Sequence, residues 1–243
     1  MSLAKHLDRT LSRHLGMHVA WLPIATRYRL GDYGLRRGGI FEPVGNISEY
    51  GVEIEEVPGR EVALDFTSTN ATAVRIVGDA TVDTFPQTSA KGELHLTFRN
   101  NRSLLLKSPR LSSTRIGNLA AIGRVIAKAR RRDGLPWMGR YRVVSELFVG
   151  EDITVLSTRQ RDTTVVLSGE AEALRGFEAT AGATGISVES SEALGLNLVG
   201  KAGSIGLDLV RFTRRGISFA PGDTDEIQAE PASWDEDEAE DDL

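Results

Sequence analysis

Hydrophobic residues recur along the chain at two spacings, one typical of helices and one typical of strands. In the N-terminal segment, leucines occur every four residues from Leu3 to Leu15, which places them on one face of a helix. Gly16 follows directly and favours the end of that helix. The spacing therefore predicts an amphipathic helix over residues 2–15.

A second helical pattern lies in the central stretch RLSSTRIGNLAAIGRVIAKARRR, residues 110–132. Its apolar residues recur at helical spacing, and its three final arginines suit the negative end of a helix dipole. Ser112, Ser113 and Thr114 are candidate N-cap residues. We expect a helix over Thr114–Arg132.

Alternation of apolar and polar residues predicts strands in most of the remaining chain. It occurs at 62–66, 74–76, 94–98, 194–199 and 205–212, and it indicates an antiparallel sheet with one dry face and one wet face. Residues 141–149, YRVVSELFV, are also predicted to form a strand. The predicted fold class is α+β: a twisted, largely antiparallel sheet with an N-terminal amphipathic helix and a central basic helix.

Two hairpins and a region of small residues complete the predicted fold. Glycines within residues 29–46 indicate turns and a short hairpin. A second hairpin is expected between Ile153–Ser157 and Thr163–Leu167. Residues 168–212 are rich in Gly, Ala and Ser, which lowers the conformational specificity of strands. These strands could form an ordinary soluble sheet or a longer hairpin with an apolar face toward lipid.

Charge is distributed unevenly between the body of the chain and its C-terminus. The net charge is -5, but eleven acids and no Lys or Arg follow Gly222, so the preceding body carries a net charge of +6. We expect a single α+β domain over 1–219 and an acidic tail over 220–243. The tail is either a disordered solubilising segment or an intramolecular mask for the basic body, which Ile227 and Trp234 would anchor.

The central basic stretch has two interpretations. Residues 94–132 contain ten Lys or Arg and no Asp or Glu. The stretch could be a core helix with a solvated basic face, or it could meet an anionic partner. Such a partner could be another surface of this chain, a phospholipid head group or nucleic acid.

The sequence contains few of the patterns that enzymes and metal proteins require. There is no cysteine, which excludes disulfides, thiolate metal sites and thiol catalysis and fits a reducing cytoplasm. The four histidines have no metal-ligand spacing, so no metal or cofactor is expected. The near phosphate loop at Gly195–Ala202 ends in Ala202 where a hydroxyl residue is required. We expect no catalytic residues, and the low aromatic content disfavours nucleic acid.

The order of these parts resembles the gasdermin family, in particular its short bacterial and fungal members. A basic amphipathic helix leads to Leu22-Pro23, similar to the "LP" of the family, and a basic helix runs into the strand RVVSEL at residues 142–147, which resembles the family's "vvtev". The resemblance covers roughly residues 2–212. The chain departs from the family in lacking the N-terminal lipidated cysteine of bacterial members and in its mostly acidic tail.

The resemblance implies a pore-forming protein that acts in cell death or defence. It would stay soluble in the cytoplasm while its C-terminal segment is in place, and then bind anionic phospholipid, self-oligomerise and insert hairpins from about 61–106 and 152–212. An activating protease could release the tail. Lipid contact would fall to basic residues of the two helices: Lys5, Arg9, Arg13, Arg124, Lys128, Arg130, Arg131 and Arg132. The alternative function is a non-enzymatic binding or assembly module whose basic helix docks a protein or nucleic-acid partner.

Overall fold

The computed structural model of the chain describes residues 2–23, 25–67, 71–77, 80–81, 91–133, 137–170, 186–189, 194–213 and 228–231. Only the backbone is described for 71–77, 80–81, 91–93, 129–133, 169–170, 186–189, 213 and 228–231. The helices are α1 (Leu3–Leu15) and α2 (Leu119–Asp133), and a 3-10 turn lies at Ile47–Tyr50. The strands are β1 (His18–Val19), β2 (Asp32–Arg37), β3 (Ile40–Asn46), β4 (Glu56–Pro58), β5 (Val62–Thr67), β6 (Ala71–Val77), β7 (Ala80–Thr81), β8 (Lys91–Phe98), β9 (Leu104–Ile116), β10 (Arg142–Thr158), β11 (Thr163–Glu170), β12 (Ile186–Glu189), β13 (Leu194–Thr213) and β14 (Gln228–Pro231).

These strands form two antiparallel sheets. Within the described residues, nine strands form a main sheet with the central order β1-β13-β10-β2-β3, and β9, β4, β5 and β14 join it at their partners. Five strands form a second sheet in the order β12-β11-β8-β6-β7. The fold is rich in antiparallel strands and carries helices, which agrees with the predicted α+β class.

Helix α1 has the boundaries that its leucine spacing predicts. The Ser2 side chain accepts a hydrogen bond from the Lys5 N–H, and Gly16, at φ 70°, donates its N–H to the Ser12 carbonyl. Such an N-cap and a left-handed C-terminal glycine satisfy backbone groups that a helix leaves unpaired. Leu7 and Leu11 are buried against β9, β10 and β13.

The predicted start of the second helix is wrong. Residues 112–114 lie in β9, where they pair with Val149, Phe148 and Leu147 of β10. Their backbone groups are satisfied by the sheet, so these hydroxyl residues do not cap a helix. Helix α2 instead begins after Asn118, whose carbonyl accepts the N–H of Ile122 at 3.1 Å.

Four pairs of strands follow one another along the chain with one member in each sheet, and the links that the structure describes between such halves are residues 99–103 and 159–162. Their halves are β5 and β6, β8 and β9, β10 and β11, and β12 and β13. Each composite strand pairs with its neighbour in both sheets: for example, Ser157 pairs with Leu104 in the main sheet, and Thr163 pairs with Phe98 in the second. We call these four composite strands the ribbon and the position of their links the bend.

The predicted hairpin between Ile153–Ser157 and Thr163–Leu167 is wrong, because these segments lie in different sheets. The first belongs to β10 and pairs with β9 and β13, whereas the second belongs to β11 and pairs with β8 and β12. Apolar and polar residues alternate in both segments, as they would in the two strands of a hairpin. The pattern alone therefore does not distinguish a hairpin turn from a link between two sheets. The hairpin predicted within 29–46 is correct: β2 pairs with β3 around Gly38 and Gly39.

The two helices pack on opposite faces of β2. Leu35 packs against the hydrophobic cluster that includes Ile122 and Ile126 of α2. The next residue, Arg36, forms an ion pair with Asp8 of α1. Because successive side chains of a strand point to opposite faces, α1 and the cluster that contains the α2 residues lie on the two sides of this strand.

Candidate functional site

The basic residues of α1 differ in their exposure. Arg13 is exposed, whereas Lys5 and Arg9 are half-buried. The backbone of α1 at Lys5 lies directly against the β2–β3 turn, where a Cβ atom on Gly39 would come within 2.6 Å of the Lys5 Cα. Part of the predicted basic face of α1 therefore adjoins the β2–β3 hairpin.

On α2, Arg124 and Lys128 are both exposed, and Val125 between them is 38% exposed. The apolar side of the helix is buried, with Ile122 at 1% and Ile126 at 0% exposure. The helix continues through Arg130, Arg131 and Arg132, whose side chains lie outside the described residues. The described surface of α2 thus combines two cations with an exposed apolar side chain. Since α1 and the cluster that contains α2 residues lie on opposite sides of β2, the described basic side chains of the two helices, such as Arg13 and Arg124, do not lie on one face of this strand.

A short segment of the acidic tail is part of the main sheet. Ile227 and Trp234 lie outside the described residues, but β14 pairs with the end of β13, with Arg211 opposite Glu230 and Phe212 opposite Ala229. Strand β14 also contacts α2. The tail therefore contacts the body through backbone pairing at a sheet edge.

The end of β13 that β14 covers belongs to an aromatic cluster. Phe212 packs against Trp137, with ring centroids 6.2 Å apart. Trp137 in turn packs edge-to-face on Tyr141 and Tyr50, and Tyr33 completes the cluster. Edge-to-face pairs of this kind stabilise packing beyond simple burial. Strand β14 thus pairs with a strand end that belongs to the aromatic part of the core.

A buried charged network, which the sequence reasoning missed, attaches α1 to β1 and β2. Asp8 accepts a hydrogen bond from the Val19 N–H at 3.0 Å and one from His18 Nδ1 at 3.3 Å, and it is ion-paired with Arg36. The signal was present in the sequence, because Asp8 lies between Ala4 and Ser12 on the apolar side of α1 and all three are buried. An acid at such a position requires partners when the helix packs.

The carboxyl groups around His18 have opposite pKa shifts. Burial raises the pKa of Asp8, but the hydrogen bond from His18 and the charges of His18 and Arg36 outweigh burial, so the pKa lies below its ordinary value of 3.8. For Asp208, burial dominates and the pKa lies above 3.8, despite the attraction of His18 and with a contribution from the Glu146 charge. The surroundings therefore favour ionisation of Asp8 and disfavour ionisation of Asp208, each relative to an ordinary aspartate.

An open cavity of about 430 Å³ lies among the segment before β2, the end of β3, the 3-10 turn and strands β4, β9 and β10. Its lining includes Tyr28, Arg29, Asn46, Ser48, Glu56 and Thr114. The most buried polar groups are already bonded to the protein: the Tyr28 hydroxyl donates to the Trp21 carbonyl at 2.7 Å, and the Asn46 amide donates to Leu30 and Asp32. Burial raises the pKa of Tyr28 to about 12, so this phenol stays neutral. These groups do not converge on a ligand.

Within the described residues, neither helix is long and apolar enough to cross a membrane. In the same part of the chain, no three His, Asp or Glu side chains come together as a metal site would require.

No protein-family model matches the sequence. No curated protein matches it either. Among solved structures, the fold is similar to a bacterial gasdermin from Bradyrhizobium tropiciagri, at 14% sequence identity and a TM-score of 0.39, over 93% of this chain and 90% of that chain.

Proposed function

We propose that this chain is a gasdermin-like pore-forming protein that is held soluble by its C-terminal segment and acts on anionic membranes in cell death or defence. On activation it moves from the cytoplasm to the membrane, self-oligomerises and inserts two hairpins of the ribbon. One hairpin comprises β5 and β6 with β8 and β9, and the other comprises β10 and β11 with β12 and β13.

The observation that carries this proposal is the continuity of the ribbon. Each composite strand is already paired with its neighbour in both sheets, so joining its two halves into one strand would extend the hairpins without changing the pairing of the halves. Strands β10 and β13 have 17 and 20 residues, whereas a strand needs about 9–11 residues to cross a bilayer. The ribbon therefore contains enough paired length for membrane-crossing hairpins.

The side-chain pattern of the ribbon also supports the proposal. In β8, Leu94, Leu96 and Phe98 are buried, and His95 and Thr97 between them are half-buried. Facing β11 has the same alternation, with Val165 and Leu167 buried. One apolar face and one polar face are what a strand needs when lipid lies on one side and water on the other.

The docked tail supports the inhibitory part of the proposal. Strand β14 covers the edge of β13 between Val210 and Thr213. An uncovered sheet edge presents unpaired N–H and C=O groups that can pair with a second chain. Removal of the tail would expose this edge, and it would also remove acids that compete with lipid for the bases of the body.

Two truncations test the proposal and separate the two contributions of the tail. Deleting residues 221–243 removes β14 and all eleven acids after Gly222, whereas deleting residues 232–243 retains β14 and removes seven of them. We expect the longer deletion to cause dye leakage from anionic vesicles at low salt, with little leakage from neutral vesicles. If leakage requires loss of β14, the shorter deletion will leak far less. A folded longer deletion that neither binds nor permeabilises anionic vesicles would contradict the pore-forming function.

A further inference from the structure

Helix α1 lies across the bend of the ribbon and contacts three of its four composite strands there. The Leu3 side chain lies beside Gly195 at the start of β13, 3.7 Å from where a Cβ atom on that glycine would stand. The Nε2 atom of His6 is 2.8 Å from the Arg102 carbonyl, in the link between β8 and β9. The ring of His14 packs on Phe66 near the end of β5, with centroids 5.6 Å apart. One helix therefore spans the ribbon at the position where its strands change sheets.

The bend itself is a set of specific, locally strained contacts. Arg102 donates its N–H to the Thr158 carbonyl at 2.9 Å, and Thr158 donates its N–H to Ser103 at 3.1 Å, so two links are bonded side by side. Arg102 and Asp162 have φ angles of 59° and 53°. Side chains other than glycine rarely adopt this left-handed conformation, and it persists only when the surroundings enforce it.

The attachment that holds α1 in place lies outside the ribbon's links. Asp8 is bonded to Arg36 of β2 and to His18 and Val19 of β1. The turn of the β2–β3 hairpin, at Gly39, closes tightly on the helix backbone. One side of α1 is therefore fixed to β1, β2 and β3, while contacts of Leu3, His6 and His14 reach the bend.

We propose that α1 is a clamp that keeps the ribbon divided between the two sheets, and that the Asp8–Arg36 ion pair is the latch that fixes the clamp to β2. When the latch opens, α1 leaves the bend, the left-handed residues relax, and the two halves of each composite strand join into one continuous strand. The conformational claim stands on the contacts of α1, and its consequence for membrane insertion rests on the proposed pore-forming function.

Hydrogen exchange at the bend tests the clamp directly. The variant Asp8→Asn removes the charge that binds Arg36, and we expect the amides of Arg102 and Thr158 to exchange at least tenfold faster. The control is Asp65→Asn, which makes the same substitution at the ion pair between Asp65 and the buried Lys107 in β5 and β9. Because the Asp65 side chain is 35% exposed and that of Asp8 is 2% exposed, exchange at the bend is measured in each variant relative to its most protected amides. If both variants accelerate amide exchange at the bend equally, the acceleration reflects a general loss of stability, and the clamp proposal is overturned.

A cross-link provides an independent measurement that does not depend on opening the latch. The chain has no cysteine, so His14→Cys with Phe66→Cys introduces a unique pair that a short bis-maleimide can join. In the otherwise unchanged protein, we expect the cross-link to slow exchange at Arg102 and Thr158 severalfold relative to the same protein without the reagent. Exchange that is unchanged by the cross-link would overturn the clamp, even if Asp8→Asn cannot be folded.

Vesicle leakage distinguishes failure of the clamp from failure of the pore-forming function. In the chain lacking residues 221–243, the cross-link should suppress dye leakage at least tenfold. If exchange responds as expected but no variant permeabilises vesicles, the clamp stands and the pore-forming function fails. If the truncated chain permeabilises vesicles equally with and without the cross-link, and exchange at the bend is also unaffected, the clamp fails and the pore-forming function stands.

Discussion

Asp8 of α1 and Arg36 of β2 form an ion pair whose side chains are only 2% and 9% exposed. Removing the charge of one member leaves the other buried without its counter-charge, which typically costs about 3–5 kcal/mol. We therefore expect Asp8→Asn to lower the free energy of unfolding by about 3 kcal/mol in urea denaturation.

The matched comparison for this prediction is the exposed ion pair between Arg110 and Glu151, whose side chains are 56% and 47% exposed. Water screens such pairs, so Glu151→Gln should cost less than about 1 kcal/mol. Equal losses in the two variants would mean that burial of the Asp8–Arg36 pair has no energetic importance.

The stability of the fold should fall in acid because of Asp8. The pKa of Asp8 is lower in the folded protein than its ordinary value of 3.8. The resulting stabilisation is present above that value and is lost as pH falls through the depressed pKa. In urea denaturation between pH 7 and pH 3, the free energy of unfolding should therefore fall less for Asp8→Asn than for the unmodified protein. The same dependence of this free energy on pH in both proteins would contradict a lowered pKa of Asp8.

Asp208 should have the opposite effect. Its pKa is raised above 3.8 in the folded protein, so its contribution to stability is present below that value and is lost as pH rises through the raised pKa. The Asp208 side chain accepts a hydrogen bond from the Leu209 N–H at 3.0 Å. Asp208→Asn keeps an oxygen that can accept this bond, and it removes the charge. We expect this variant to gain stability over the unmodified protein at pH 7 and to lose that advantage near pH 3, as measured by thermal unfolding.

The sequence predicted helix and strand boundaries well where the hydrophobic residues followed a single periodicity. The leucines of α1 and the glycine at position 16 determine a helix with both of its ends, and the structure has that helix. The start of α2 was missed because residues 110–116 contain hydroxyl and apolar residues that suit a helix and a strand alike. Long-range pairing of β9 with β10 decided in favour of the strand.

Pairing partners and buried charges could not be read from the sequence. The alternation in Thr163–Leu167 identifies a strand, but only the chain path shows that its neighbour is β8. Asp8 was visible as an acid on an apolar helix face, yet its partners Arg36 and His18 come from strands 28 and 10 residues away. The exposure of Arg124 and Lys128 on α2 agrees with their polar positions in the helical pattern, and their role in lipid contact stays a prediction.

Alanine substitutions at the two glycines of the β2–β3 turn test how closely α1 packs against this turn. A Cβ atom at Gly39 would lie 2.6 Å from the Lys5 Cα, whereas one at Gly38 would meet nothing within 4 Å. Both glycines have positive φ, at 81° and 56°, so each alanine substitution carries backbone strain of about 1–2 kcal/mol. Gly39→Ala should cost clearly more than Gly38→Ala in urea denaturation, and it alone should accelerate amide exchange in α1. Equal costs would show that α1 moves aside freely.

Neutralising the exposed bases of α2 tests which surface meets lipid. Each Lys or Arg near an anionic membrane contributes about 1 kcal/mol. In the chain lacking residues 221–243, Arg124→Gln with Lys128→Gln should therefore weaken binding to anionic vesicles about 30-fold at low salt. The measurement is vesicle co-sedimentation over a salt titration, in which the difference should shrink as screening increases.

The charge-matched control replaces two exposed arginines away from α2, as Arg27→Gln with Arg60→Gln. If the control weakens binding as much as the α2 variant, binding depends on net charge and not on the α2 surface. The same proteins tested by gel shift with duplex DNA examine the alternative partner. A salt-sensitive shift that requires Arg124 and Lys128, together with no binding to anionic vesicles, would favour a nucleic-acid-binding module, because phosphate contacts weaken steeply with salt.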